Sequence, residues 1–271
     1  MRQYLAAAPL ALGVALAAPL VIAAARPVQV DPGMTVAVGA PTRTPANVAR
    51  DKYRHPAETL SFFGVKPTDT VVEIWPGGGW YTEILAPLTK GKGTLWAADM
   101  WPSTGVPRLQ AKDAATYGAI KLAAFPAADG QPRVPDGSAD VVLTFRNVHN
   151  WRMGYKRDNV DYSKEAFAQM FAMLKHGGTL GIEDHRLPEG ASEEREKTSG
   201  YIKVSTVRRL AQEAGFVFVG ASEVNANPKD SADWPEGVWT LPPTYALKDV
   251  DREKYAAIGE SDRMTLKFRK P

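Results

Sequence analysis

A triple glycine behind an acidic apolar run, and four histidines, are the residues of this chain best suited to chemistry. In Val71-Val-Glu-Ile-Trp-Pro-Gly-Gly-Gly-Trp-Tyr-Thr82, Gly77, Gly78 and Gly79 let a ligand approach the backbone. A helix start behind them favours a carboxylate or phosphate. A phosphate loop of the Gly-x-x-x-x-Gly-Lys-Ser/Thr kind is absent, because Gly91-Lys92 is followed by Gly93. The dinucleotide pattern Gly-x-Gly-x-x-Gly is met at Gly77 and Gly79 and fails at Thr82, which disfavours a nicotinamide or flavin cofactor. A plain strand-to-helix turn would need one glycine, not three.

His149 and His185, each close behind a predicted strand, are the candidate general bases, His185 with Glu183 and Asp184 beside it. His55, ahead of the first strand, is expected to approach them, and His176 to sit at the opposite edge. Asp51, Arg54 and His55 share a helix face, suited to clamping a carboxylate or to a surface ion pair. Neither His-x-x-x-His nor His-Glu-x-x-His occurs, so no metal site is expected. With no cysteine, the chain has no thiolate nucleophile, disulfide or Cys-based zinc site. Reactivity must come from histidines, carboxylates, hydroxyls or a bound cofactor.

These residues need strands and helices to hold them. Thr70–Ile74 reads as a buried strand, then the glycine turn and a helix over Tyr81–Leu88; strands follow at Thr94–Ala98, Ile120–Phe125, Ala139–Phe145, Thr179–Ile182, Phe216–Val219 and Arg263–Phe268. Helices are expected over Asn47–Phe63 with a break near Pro56, Arg108–Tyr117, Lys164–Leu174 ended by Gly177-Gly178, and Ser205–Ala214 capped by Ser205. This alternation implies an α/β fold: a Rossmann-like, doubly wound sheet of seven strands, mostly parallel, with ligand beyond the strand carboxyl ends. Ala221–Tyr255, between the last two strands, is long enough for a lid or a surface insertion, with Trp234, Trp239 and Tyr245 its notable residues.

Within 271 residues, 44% hydrophobic and 23% charged, the composition excludes disorder, collagen and coiled coil. Lys+Arg 33 against Asp+Glu 30, without a basic stripe, argues against nucleic acid as partner. Arg2, the apolar run from Leu5 to Ala25 and Ala23-Ala24-Ala25 form a signal peptide pattern, so residues 1–25 are expected to be removed and the protein exported to the periplasm, without stable membrane insertion. The alternative is a membrane anchor over residues 5–25. Residues 26–46, rich in Pro and Gly, read as a flexible linker, and 47–271 as the folded domain.

The run Glu73–Gly79 resembles the first motif of the class I S-adenosylmethionine-dependent methyltransferases, an acidic strand end followed by a Gly-x-Gly turn. Its wording, Glu-x-x-Pro-Gly-Gly-Gly-Trp-Tyr-Thr, is similar to a subgroup of bacterial methyltransferases with exported members. The resemblance runs from about Asn47 to Lys270, through Asp140–His149 as a fourth motif and Lys175–Ile182 as the following turn, and implies an antiparallel last strand. It implies S-adenosylmethionine as cofactor and a small-molecule acceptor. Glu73, Pro76, Gly77, Gly78 and Gly79 would hold the methionine part, Asp99 the ribose hydroxyls, Met100 one face of adenine and Asp129 its amino group, with Asn147 in the fourth motif. Trp75, Trp80, Trp101 and Trp151 would either wall the sulfonium, at about 0.5–2 kcal/mol each, or pack under loops. Two other readings stand beside this one: a protein of the same fold that binds a ligand without methyl transfer, and a nicotinamide oxidoreductase.

Overall fold

The computed structural model describes residues 29–271; the leader expected over residues 1–25 lies outside the described residues. Eight strands form the sheet: β1 (Thr70–Ile74), β2 (Thr94–Asp99), β3 (Lys121–Ala124), β4 (Ala139–Phe145), β5 (Leu174–Leu187), β6 (Ile202–Lys203), β7 (Val217–Ser222) and β8 (Arg263–Arg269). The spatial order is β3-β2-β1-β4-β5-β8-β7, with the two-residue β6 paired to the end of β5. β1 to β5 run parallel, whereas β8 is antiparallel to both β5 and β7. This is the expected doubly wound sheet with an antiparallel last strand.

Both faces of the sheet are covered, which is why β1 and β4 read as mainly apolar runs without a polar alternation. One core gathers Trp151, Phe167, Met170 and Phe216 against Val72, Val142 and Ile182; the other gathers Leu60, Phe63, Tyr81 and Leu85 against Val71, Ala97 and Leu143. Gly181 in β5 permits the close seat of Phe63, since an added methyl would meet that ring at 2.6 Å. Burying a side chain such as Phe63 contributes about 1.5–3 kcal/mol.

Several boundaries differ from the sequence reading. Within the expected linker, Pro32–Val38 is a helix whose amino end is capped by Asp31 and which buries Met34 and Ala37. Its proline is at the first helical position, where no N–H is needed, so the residue that suggested a tether starts a helix. The single broken helix is three: Pro45–Val48, Asp51–Arg54 and Pro56–Phe63. The helix Ser163–Met173 passes straight into β5, and the Gly177-Gly178 pair is strand, Gly177 N–H donating to Lys270 O at 2.8 Å. Ser205 is not a cap of Val204–Glu213; its hydroxyl and N–H bond Glu189. Among the described residues, no helix is long and apolar enough to cross a membrane.

Candidate functional site

Glu73 is the penultimate residue of β1 and Asp99 the last of the neighbouring β2, and the glycine turn leaves from β1. Gly79 N–H donates to Pro76 O at 2.9 Å, closing the turn. Gly77 (φ 57°) and Gly79 (φ 88°) take left-handed backbone that glycine alone adopts without strain. Nothing lies within 4 Å of where a Cβ would stand on Gly77 or Gly78, and both are exposed, so the turn offers an open cradle. Glu73 is 2% exposed and accepts the Thr82 hydroxyl at 2.6 Å; burial pushes its carboxyl up to about 7 despite that bond. Asp99 Oδ1 accepts Met100 N–H at 2.8 Å, and its Oδ2 accepts Ser103 Oγ at 3.2 Å. The helix Gly105–Lys112, which follows β2, comes down on the turn: a Cβ on Gly105 would lie 1.8 Å from Gly77 O, and Leu109 lies against Gly79.

Met100 and Trp101 are exposed above Asp99, and Asp129 is exposed in the turn after β3. Asn147 spends its side-chain N–H groups on Ile74 O (3.0 Å) and Thr144 Oγ1 (3.2 Å), strapping the end of β4 to the end of β1. The four tryptophans do not form one wall. Trp151 is wholly buried core, and Trp80 is covered by the Arg43 and Arg54 guanidiniums. Trp75 packs on Trp151, Tyr155 and Tyr162, with its indole N–H donated to Phe125 O at 2.8 Å.

Two of the histidines converge. His149 follows β4, His185 lies in β5, and their rings are 5.1 Å apart. Asp184 Oδ1 accepts His149 Nδ1–H at 2.7 Å, which leaves Nε2 as the free proton acceptor. Asp184 is fixed in turn by the backbone N–H groups of His149 (3.2 Å) and His185 (2.8 Å). His185 Nδ1 meets Ser261 Oγ at 2.5 Å; burial first, then His149 and the surrounding arginines, hold its pKa well below the usual imidazole value. It stays neutral. His55 is a left-handed helix cap away from this pair, and His176 bonds Pro271 O at the far end of β5.

Both rings line a cavity of about 300 Å³ with Arg50, Arg54, Arg146, Glu260 and Ser261. His149, Asp184 and His185 bring ligand atoms within 4.8 Å of one another, as a metal site would. The Asp184 carboxylate is already committed and guanidiniums surround the group, which opposes a dication there. Of the helix-face trio, Asp51 pairs with Arg43 at 2.6 Å, and only Arg54 faces the cavity. Ala221–Tyr255 does cover the site, through Trp239, which lines this cavity and a neighbouring one with Trp75, Asn150 and Tyr155. Trp234 is tied to Asp230, and Tyr245 lies beneath Arg252. Arg50, Glu260 and Ser261 carry no motif, and Arg146 falls within the Asp140–His149 segment without being singled out there.

No protein-family model and no curated protein matches the chain. Solved structures do match it in shape. An S-adenosylmethionine-dependent methyltransferase from Aquifex aeolicus superposes with a TM-score of 0.54 at 15% identity, over 82% of this chain and 93% of that one. The chain has the class I methyltransferase fold. The [4+2]-cyclase SpnF also matches, with a TM-score of 0.57 at 14% identity, over 89% of this chain and 92% of its own. The second likeness shows that this architecture does not by itself settle the reaction.

Proposed function

We propose that the chain is an S-adenosylmethionine-dependent methyltransferase acting on a small molecule. The observation that carries this reading is the juxtaposition at one sheet edge of two buried carboxylates, Glu73 and Asp99, the open Gly77-Gly78 cradle and the His149–Asp184 pair. When bound, the cofactor supplies an electrophilic methyl group. Ionised Glu73 and the glycine backbone receive the amino-acid part, Asp99 the ribose hydroxyls in place of Ser103, Met100 a face of adenine and Asp129 its amino group. His149 Nε2 takes the acceptor's proton, Asp184 holding the ring in that tautomer; such positioned base catalysis contributes about 10²–10⁴-fold. Alignment of acceptor and methyl supplies the rest.

The same reading includes removal of residues 1–25 and delivery to the periplasm. That destination favours a second reading, a ligand-binding protein on the methyltransferase fold, because S-adenosylmethionine is made inside the cell. Calorimetric titration with S-adenosylhomocysteine separates the two. Binding is expected, and Asp99→Ala should weaken it by about 1–3 kcal/mol through the lost hydrogen bonds. No binding at millimolar ligand would leave only the second reading standing.

A further inference from the structure

We propose that the cavity between Arg50, Arg54, Arg146 and His149 binds an anionic group, a carboxylate or a phosphate, carried by the acceptor. The charge balance around it is unequal. Four guanidiniums, those three and Arg263 behind them, share two carboxylates, Glu260 and Glu183. The third acid, Asp184, is taken up by the His149 ring and two backbone N–H groups. Glu183 also accepts the Tyr81 hydroxyl at 3.1 Å.

The arginines are incompletely used. Arg54 is 3% exposed, yet among the described residues its side chain makes one hydrogen bond, from Nε to Glu260 Oε2 at 3.1 Å, with its guanidinium also lying 4.7 Å over the Trp80 ring. Arg50 likewise gives its Nε to Glu260 Oε1 at 2.6 Å, and Arg146 makes one long contact, 3.4 Å, to Glu183. Arg263, by contrast, spends its terminal nitrogens on Glu260 and Tyr53 O. The remaining N–H groups of Arg50, Arg54 and Arg146 belong to side chains that line the cavity. A planar fork of N–H donors matches a carboxylate or phosphate oxygen pair. Burial first, then the neighbouring Arg146, lowers the Arg54 pKa to about 9, as fits a buried cation whose protein partners do not fully neutralise it.

Strand order puts this anion on the acceptor side. Glu73 and Asp99 lie at the carboxyl ends of β1 and β2, while the cavity is walled by residues after β4, on β5 and just before β8, with Arg50 and Arg54 reaching it from the helices ahead of β1, under the cover of Trp239 and Pro242. Asn150 and Trp239 also line the adjoining cavity of about 500 Å³, whose other walls are Trp75, Met153, Tyr155 and Asn159. An acid with an apolar or aromatic body would place its charged end on the arginines and its body against those rings. The inference rests on the methyltransferase reading in naming the anion as the acceptor's; the binding of an anion does not depend on it.

The test is calorimetric titration of the full chain with inorganic phosphate at low ionic strength. Saturable one-to-one binding is expected, weakened about tenfold or more by Arg54→Gln and by Arg146→Gln, the loss of a charge-assisted contact. Arg209→Gln, on an exposed helix face, should leave it unchanged. Should Arg54→Gln disturb folding, Arg146→Gln decides, since that side chain has one long protein contact. Absence of saturable binding at millimolar phosphate, or equal affinity in both cavity variants, overturns the proposal. A second titration is made in saturating S-adenosylhomocysteine. Unchanged phosphate affinity supports an acceptor site, and displacement of phosphate overturns that assignment. If phosphate binds and S-adenosylhomocysteine does not, the anion site stands and the methyltransferase reading falls.

Discussion

Replacing Glu73 by Gln should make the ligand-free protein more stable at alkaline pH and impair the site. Glu73 is 2% exposed, and burial raises its carboxyl from 4.5 to about 7. Between those values the unfolded chain has released this proton while the folded chain still holds it, so folding stability falls as pH rises through the window. At 1.36 kcal/mol per pH unit the full cost is about 3 kcal/mol above pH 7, and it fades below pH 4.5. A glutamine carbonyl still accepts the Thr82 hydroxyl and never ionises, although its buried amide nitrogen costs about 1 kcal/mol. Urea denaturation of Glu73→Gln should therefore show near parity with the parent at about pH 5 and a gain of about 2 kcal/mol at about pH 8. S-adenosylhomocysteine affinity of the parent should rise from pH 6 to pH 8 as the carboxylate forms to meet an ammonium, and the variant's should be lower and flat. A variant no more favoured at pH 8 than at pH 5 would refute the claim that this acid is held against its own ionisation.

Gly105→Ala places a Cβ 1.8 Å from Gly77 O, so it should cost about 1–3 kcal/mol or more and abolish S-adenosylhomocysteine binding; Gly190→Ala, in open space, serves as the control in the same denaturation and titration. Burial would raise the Glu260 carboxyl, but Arg54, Arg263 and Arg50 outweigh it and hold it at about 2. That stability is present above pH 4.5 and lost as pH falls through about 2, so Glu260→Gln should be about 3 kcal/mol less stable than the parent at neutral pH and converge with it in acid. Expressed with its leader in an exporting host, the chain should yield a mature amino terminus at Arg26 by mass spectrometry; an intact Met1 would instead support an anchor.

The parts of this molecule that were legible in its sequence are those set by short-range rules. β1 and β4 are visible because a strand buried on both faces is mainly apolar, and the turn because three glycines have few other uses. Their order along the chain then placed Glu73 and Asp99 correctly at strand ends. The helix Pro32–Val38 was hidden because its proline and glycine read as breakers, while its docking through Met34 and Ala37 is a tertiary fact. β5 was read too short because Gly177-Gly178 looked like a stop. Within β5, Gly177 takes a left-handed φ of 77° at a register shift against β4, and the chain is held there by a hydrogen bond to Lys270, nearly a hundred residues away. Pairing His149 with Asp184 needed the register of β4 on β5, which sets Phe145 beside Glu183. No local pattern carries that information.

The arginine cavity lay further beyond reach, and its geometry gives the reason. Arg50 and Arg54 come from the helices before β1, Arg146 from the end of β4, and Glu260 and Arg263 from the approach to β8, so the network joins positions more than two hundred residues apart. Arg54 stands out locally as part of a helix face and Arg146 falls inside the Asp140–His149 segment, but nothing in the sequence joins either to Arg50, Glu260 or Arg263. The backbone at the same edge is also held against preference. Trp75 (φ 48°) directly after β1 and Arg146 (φ 61°) directly after β4 both occupy left-handed conformations, each costing about 1 kcal/mol or more for a residue with a side chain. Neighbouring parallel strands thus leave the sheet through the same strained turn, one aiming an indole and the other a guanidinium at the two adjoining cavities. Buried Glu73, underused Arg54 and these two backbones all cost folding stability at one sheet edge, and the wholly apolar cores on either face are what allow the fold to hold them there.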